Sequence, residues 1–203
     1  NRISLRMTEI PHIADKPSPM RTLQSKKYPD MKMDATININ LIDYFDSYPN
    51  CDLEIYRIPT FSGSINDGLK SIKRAIASLD TKDAVAKILD FVQTAFDYQT
   101  DAEQFGYERS FFAEETLYYP YCDCEDRAIL FSALVENLTG LDTVLLQYTG
   151  HVAAAVCFDS DVAGDSVTVN GRRYTVCDPT YIGAGIGCSM PGLDNKSISI
   201  VRK

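Results

Sequence analysis

Residues 122–140 read CDCEDRAILFSALVENLTG, and the fold turns on how this stretch is placed. Its apolar spacing predicts a helix from about Cys124 to Leu138, with Leu130, Ala133, Leu134 and Leu138 facing a core. Glu125 and Asp126 fall in the first turn, where negative charge suits the helix dipole. Gly140 supplies a left-handed stop. Beyond that stop the pattern changes to short runs separated by turn residues: DTVLLQYT (142–149), HVAAAVCF (151–158), DSVTV (165–169) and RRYTVC (172–177). Asn170-Gly171 between the last two is a strong hairpin signal. His151–Phe158 is apolar on both faces, as a central strand should be. The tail from Gly183 is glycine-rich and irregular, with an edge strand expected over SISIV (197–201).

Upstream, helical spacing dominates. Val85, Ile88, Leu89, Val92 and Phe96 give a clear helical period from about Lys82. Before it, SIND (64–67) resembles a capping box that opens a helix carrying Leu69, Ile72, Ile76 and Leu79 on one stripe. DAEQFGYERS (101–110) reads as a loop, and Ala113–Leu117 as a short helix stopped by Pro120. Alternation in ATININLI (35–42) and the run LEIYRI (53–58) predict two strands, and residues 1–34 a loop-like arm. Helices followed by an antiparallel sheet define an α+β fold. The organisation expected is an extension over residues 1–62, then a domain over 63–203.

Composition narrows the functions available. A net charge of −8 and 28 acidic against 20 basic residues disfavour nucleic acid as partner, since phosphates would be repelled and little counterion release gained. No apolar run approaches the roughly 18 residues of a membrane span. Six cysteines in 203 residues are too sparse for a disulfide scaffold.

Three residues stand out for chemistry. Cys124 sits at a predicted helix start, where unpaired backbone N–H groups and the positive dipole end stabilise a thiolate. His151 opens a strand just after Gly150, and Asp178 closes the hairpin in VCDPT (176–180). A thiol needs a base, and the base needs a carboxylate to hold its tautomer. The Cys124 backbone N–H is a natural oxyanion donor.

CDCEDRAILFSALV (122–135) resembles the nucleophile segment of the transglutaminase-like superfamily, in its bacterial type. GHVAAAV (150–156) is similar to that family's histidine strand, and YTVCDPTY (174–181) to its aspartate strand. FFAEETLYYP (111–120) resembles the short helix that precedes the nucleophile. The order agrees, with 27 residues from Cys124 to His151 and 27 more to Asp178. The likeness covers roughly residues 82–183. It implies a papain-like core, a Cys124–His151–Asp178 triad, a protein or peptide substrate and no cofactor or metal. Cysteine-dependent hydrolysis of a peptide or carboxamide bond is the activity expected. Cross-linking or deamidation, and a non-catalytic peptide-binding module, are the alternatives. With the start at Asn1 rather than Met, the likeness also leads to an expectation of an exported or periplasmic protein.

Departures from the family pattern are specific. Cys122 stands where Gly is common, and there is no Trp, which transglutaminases proper use as the second oxyanion donor. Tyr98, then Gln104, are the candidates for that role, and Tyr121 in LYYPYC (117–122) for an aromatic wall of the substrate groove. Each feature also has a plainer reading. A single cysteine is usually a buried apolar residue, His151 a core histidine and Asp178 a turn residue before proline. A zinc set of Cys122, Cys124, His151, Cys157 and Cys177 departs from the usual Cys-x2–4-Cys spacing. Asp159, Asp161 and Asp165 read as a solvated loop rather than a calcium site.

Overall fold

The computed structural model describes residues 5–7, 9–58, 61, 65–193 and 197–203. Its arm begins with a hairpin, β1 (Arg21–Gln24) and β2 (Lys32–Ala35), paired antiparallel. Two short helices follow, α1 (Ile39–Asp46) and α2 (Leu53–Tyr56), then two longer ones, α3 (Asn66–Ile76) and α4 (Thr81–Thr94). A two-residue strand β3 (Asp97–Tyr98), helices α5 (Asp101–Gln104) and α6 (Ala113–Tyr118), and strand β4 (Tyr121–Cys122) lead to the long helix α7 (Cys124–Thr139). The rest is strand: β5 (Asp142–Tyr148), β6 (His151–Cys157), β7 (Ser166–Val169), β8 (Arg172–Cys177) and β9 (Ser199–Val201). These five form one antiparallel sheet in the order β7-β8-β6-β5-β9. The class is α+β with an antiparallel sheet.

The segment that opened the sequence reading forms its helix for local reasons. Asp123 N-caps α7 and Asp126 reaches back to the Asp123 N–H at 3.3 Å, a reciprocal cap. At the other end Gly140 takes φ 76° and its N–H returns to Glu136. Every residue from Asp126 to Val135 is buried, so α7 is enclosed rather than amphipathic. It packs between α4 on one side and β5 and β6 on the other. α4 is capped by Asp80, whose side chain accepts from the Asp83 N–H at 2.8 Å.

Neither strand expected in the extension forms as such: residues 35–42 run from the end of β2 into α1, and residues 53–56 are α2. Over residues 35–42 the period-two alternation was too short to be decisive. Asn38 accepts from the Asn40 N–H at 3.1 Å and caps a helix that buries Leu41, Ile42 and Phe45. Phe45 lies just past the alternating window, and with it the apolar spacing becomes helical. LEIY likewise forms one helical turn, burying Ile55 and Tyr56. Strand structure sits earlier instead, where Met33 and Ala35 of β2 point inward. The loop expected over 101–110 also contains a helical turn, α5, capped by Thr100 and Glu103. The capping residue Ser64 lies outside the described residues.

The extension shares its core with the rest of the chain. Leu23, Met31, Met33, Leu41 and Phe45 belong to one buried cluster with Val85, Phe91, Ile129 and Leu134. Gly68 of α3 lies so close to β2 that a Cβ there would stand 2.7 Å from Met33 Cγ and 2.8 Å from the Asp34 carbonyl. Buried Arg57 anchors α2 further. It donates to the Val201 and Thr143 carbonyls at 2.9 and 2.8 Å and pairs with Glu136 at 2.9 Å. Arg57 thereby fixes α2 beside β9, opposite the start of α7, and so builds one wall of a cleft.

Candidate active site

The cleft encloses about 950 Å3 and is lined by Cys124, His151, Tyr98 and residues of α2, α5 and β9. Its parts are placed by the sheet and by α7. Tyr148 and His151 face each other across the β5–β6 turn, so His151 projects at the mouth of the hairpin. Strand β8 pairs with β6 in a register that sets Cys177 opposite Ala154. The residue after β8, Asp178, then reaches His151, and Nε2 lies 2.8 Å from Asp178 Oδ2. Asp178 is fully buried and His151 only 8% exposed.

Asp178 uses its two oxygens differently. Oδ1 accepts from the Thr180 and Tyr181 N–H groups at 2.9 and 3.1 Å, forming the turn expected of an aspartate before proline. Oδ2 is left for the imidazole. One side chain thus closes the turn and also contacts the imidazole. A carboxylate only accepts, so Nε2 carries the proton and Nδ1 keeps a free lone pair.

Gln93 holds this loop, and sequence reasoning missed it. Its buried amide, on α4, donates to the carbonyls of Asp178 and Tyr181 at 2.9 Å and Ala184 at 3.1 Å. Its oxygen accepts from the Gly183 N–H. In sequence it looks like one polar residue beside the apolar stripe of α4. The only signal available was its position among residues that are otherwise buried.

Cys124 is the first residue of α7, and the Val152 N–H, next to His151, is directed at its sulfur. Its thiol also contacts Glu125 Oε2 at 3.2 Å. Burial, then the Glu125 and Asp123 carboxylates, push this thiol above its ordinary value. The sequence expectation was the reverse, a thiolate favoured by the helix start. The helix end contributes only about half a unit charge, and burial of the sulfur, with the Glu125 and Asp123 carboxyl groups beside it, outweighs that. Cys122 is no rival. It is buried, accepts from Arg127 Nε at 3.4 Å, and burial raises its thiol to about 12. All six cysteines are free thiols.

The weaker candidates separate. Tyr98 is brought beside Cys124 by the parallel pairing of β3 with β4 and lines the cleft, with its hydroxyl raised to about 12 chiefly by burial. Gln104 and Tyr121 are not among the residues lining the cleft. Tyr119 packs in a cluster with Phe105 and Phe111, around the Arg109 guanidinium.

The region around Cys124 is also crowded with carboxyl groups. Asp101, Glu108 and Glu125 bring oxygens within 4.8 Å of one another, as do buried Asp101, Asp123 and Asp126. Burial raises Asp101 to about 6 and Asp123 to about 9, and pushes Asp126 well above the carboxylate range. Asp126 spends its oxygens on the Phe111 and Asp123 N–H groups.

No family model, curated protein or solved structure matches the chain. No helix among the described residues is long and apolar enough to cross a membrane.

Proposed function

We propose that the protein is a cysteine-dependent acyl-transfer enzyme of transglutaminase-like, papain-like type that hydrolyses a peptide or carboxamide bond. The observation carrying this reading is the His151–Asp178 contact of 2.8 Å in a cleft that also holds Cys124 at a helix start. A structural histidine needs no buried carboxylate partner, and a structural thiol needs no open cleft.

In this reading the Cys124 sulfur attacks the carbonyl carbon while His151 Nδ1 takes the thiol proton. Asp178 steadies the imidazolium that forms. The tetrahedral oxyanion is met by the Cys124 backbone N–H and by the Tyr98 hydroxyl. His151 then returns the proton to the leaving amine, the C–N bond breaks, and a thioester remains on Cys124. Water, deprotonated by His151, attacks the thioester and releases the acid and the thiol. Because the thiol is held protonated at rest, proton transfer accompanies attack rather than preceding it.

The test is p-nitrophenyl acetate, whose acyl group can load the thiol directly. A burst of nitrophenolate, one per chain, is expected from the wild type. Cys124→Ala should abolish it, and His151→Ala should slow it by roughly two to four orders of magnitude. A burst that survives Cys124→Ala, or no burst in the wild type, would sink the reading.

A further inference from the structure

We propose that Arg127 is the positioning residue of the oxyanion site: its guanidinium, fixed to the end of α4, backs the Tyr98 ring and so places the hydroxyl that meets the oxyanion. This rests on the acyl-transfer reading and adds a residue to it. Arg127 follows Cys124 by three positions on α7, so the two side chains leave the helix on the same side. Cys124 opens to the cleft, whereas Arg127 is only 1% exposed.

The guanidinium is held on three sides. Nη2 donates to the Phe96 carbonyl at 2.9 Å, and Nη1 to the Gln93 carbonyl and Nε to Cys122 Sγ, both at 3.4 Å. Gln93 lies in the last turn of α4 and Phe96 just beyond it, where the helix presents carbonyls and the negative end of its dipole. No salt bridge among the described residues reaches Arg127. A buried cation without a carboxylate partner carries a desolvation penalty that an apolar side chain of similar volume would avoid. Packing alone therefore gives no reason for a charge at this place.

The fourth side faces Tyr98. Arg127 Cζ lies 5.5 Å from the centroid of that ring, within range of a cation–π contact. Strand pairing sets Tyr98 opposite Cys122 but fixes only the backbone. The side chain is 49% exposed, and among the described residues it has no other aromatic or cationic partner and no hydrogen bond to its hydroxyl. Arg127 thus holds the ring on its protein side and leaves the hydroxyl free for a ligand. Its charge also opposes the acidic side chains around this phenol, which strengthens the hydroxyl as a donor to a developing oxyanion. Gln93, whose carbonyl Arg127 contacts, ties down the Asp178 loop with its side chain. The oxyanion donor and the carboxylate behind His151 are therefore both referred to one end of α4.

The test sets two reactions of Cys124 against each other. Acylation by p-nitrophenyl acetate passes through an oxyanion, whereas alkylation by iodoacetamide displaces iodide at a methylene carbon and forms none. Tyr98→Phe, at an exposed position, should slow acylation by roughly a hundredfold and leave alkylation within about twofold of the wild type. Arg127→Met should slow acylation by roughly tenfold or more. Its effect on alkylation should be as small, because the charges that chiefly shift the thiol are Glu125 and Asp123. In the Tyr98→Phe background Arg127→Met should cost less than about twofold further, as for two residues acting through one hydroxyl. Arg127→Lys, which keeps the charge without the planar fork, should recover part of the loss. Equal losses in both reactions would make Arg127 a structural residue and overturn the proposal. The undiminished loss from Arg127→Met in the Tyr98→Phe background would overturn it too. So would unchanged acylation in Tyr98→Phe, since no hydroxyl would then need placing, and that arm holds even where the Arg127 variants do not fold. A burst missing from the wild type, or surviving Cys124→Ala, would instead remove the acyl-transfer reading, and this role with it.

Discussion

The two sides of His151 differ in how completely they are built. Toward Asp178 every polar group is matched: one carboxylate oxygen closes a turn, the other takes the imidazole, and Gln93 ties down the loop behind them. Toward Cys124 the reverse holds, with acidic groups crowded together and a thiol pushed up by burial and then by its carboxyl neighbours. A matched network of this kind keeps one geometry at little cost. A frustrated one costs stability, and such strain survives where something outside the chain completes it. In the proposed mechanism the matched side is the one that orients the base, and the crowded side is the one that meets substrate.

The largest effect should come from breaking the matched side. Asp178→Asn keeps the size of the side chain but turns an acceptor into a group that can present N–H to Nε2. The imidazole then flips its tautomer or loses the bond. Acylation by p-nitrophenyl acetate should fall by roughly two to four orders of magnitude, while unfolding in urea shows a native fold. A fall of less than about threefold would mean that Asp178 is only a turn residue.

Relieving the other side should act in the opposite direction and more weakly. Glu125→Gln removes the carboxylate that contacts the Cys124 sulfur. A thiolate there is no longer repelled, so the alkylation profile of Cys124 by iodoacetamide should move about one unit toward acid. No movement would show that burial alone sets the thiol.

The smallest effect is on stability. Asp101 and Asp123 are raised in the folded protein to about 6 and about 9, whereas in the unfolded chain they titrate near ordinary carboxylate values. Between those limits the folded state holds more protons than the unfolded one. Stability should therefore decline as pH rises from about 4 toward 9. Asp123→Asn should flatten the upper part of that decline, raising Tm by a few degrees at pH 8. An unchanged pH slope would show that Asp123 is not a raised acid.

Sequence legibility follows the same division between local and distant causes. Helix α7, its glycine stop, the Asn170-Gly171 hairpin and the central strand β6 are set by neighbours along the chain, and all stand where the pattern put them. The extension misled because eight residues carry too few periods to separate strand from helix, and the Asn38 cap and Phe45 were needed to settle it. Gln93 escaped notice because a polar residue on an apolar helix has no local explanation; its partners lie some 90 residues away in the chain.

The sequence by itself determined the α+β class, the helix that begins at Cys124 and the strand that begins at His151. Capping, glycine stops and periodicity act within a few residues, and those signals are written where they operate. Only the tertiary structure decided that Asp178 meets His151, that Glu125 turns to the sulfur, and that Asp101 and Glu108 join them in one cleft. Charge interacts through space, so whether an acidic residue is a solvated surface group or a buried, proton-holding neighbour of the Cys124 thiol depends on burial and distance that no short stretch of chain encodes.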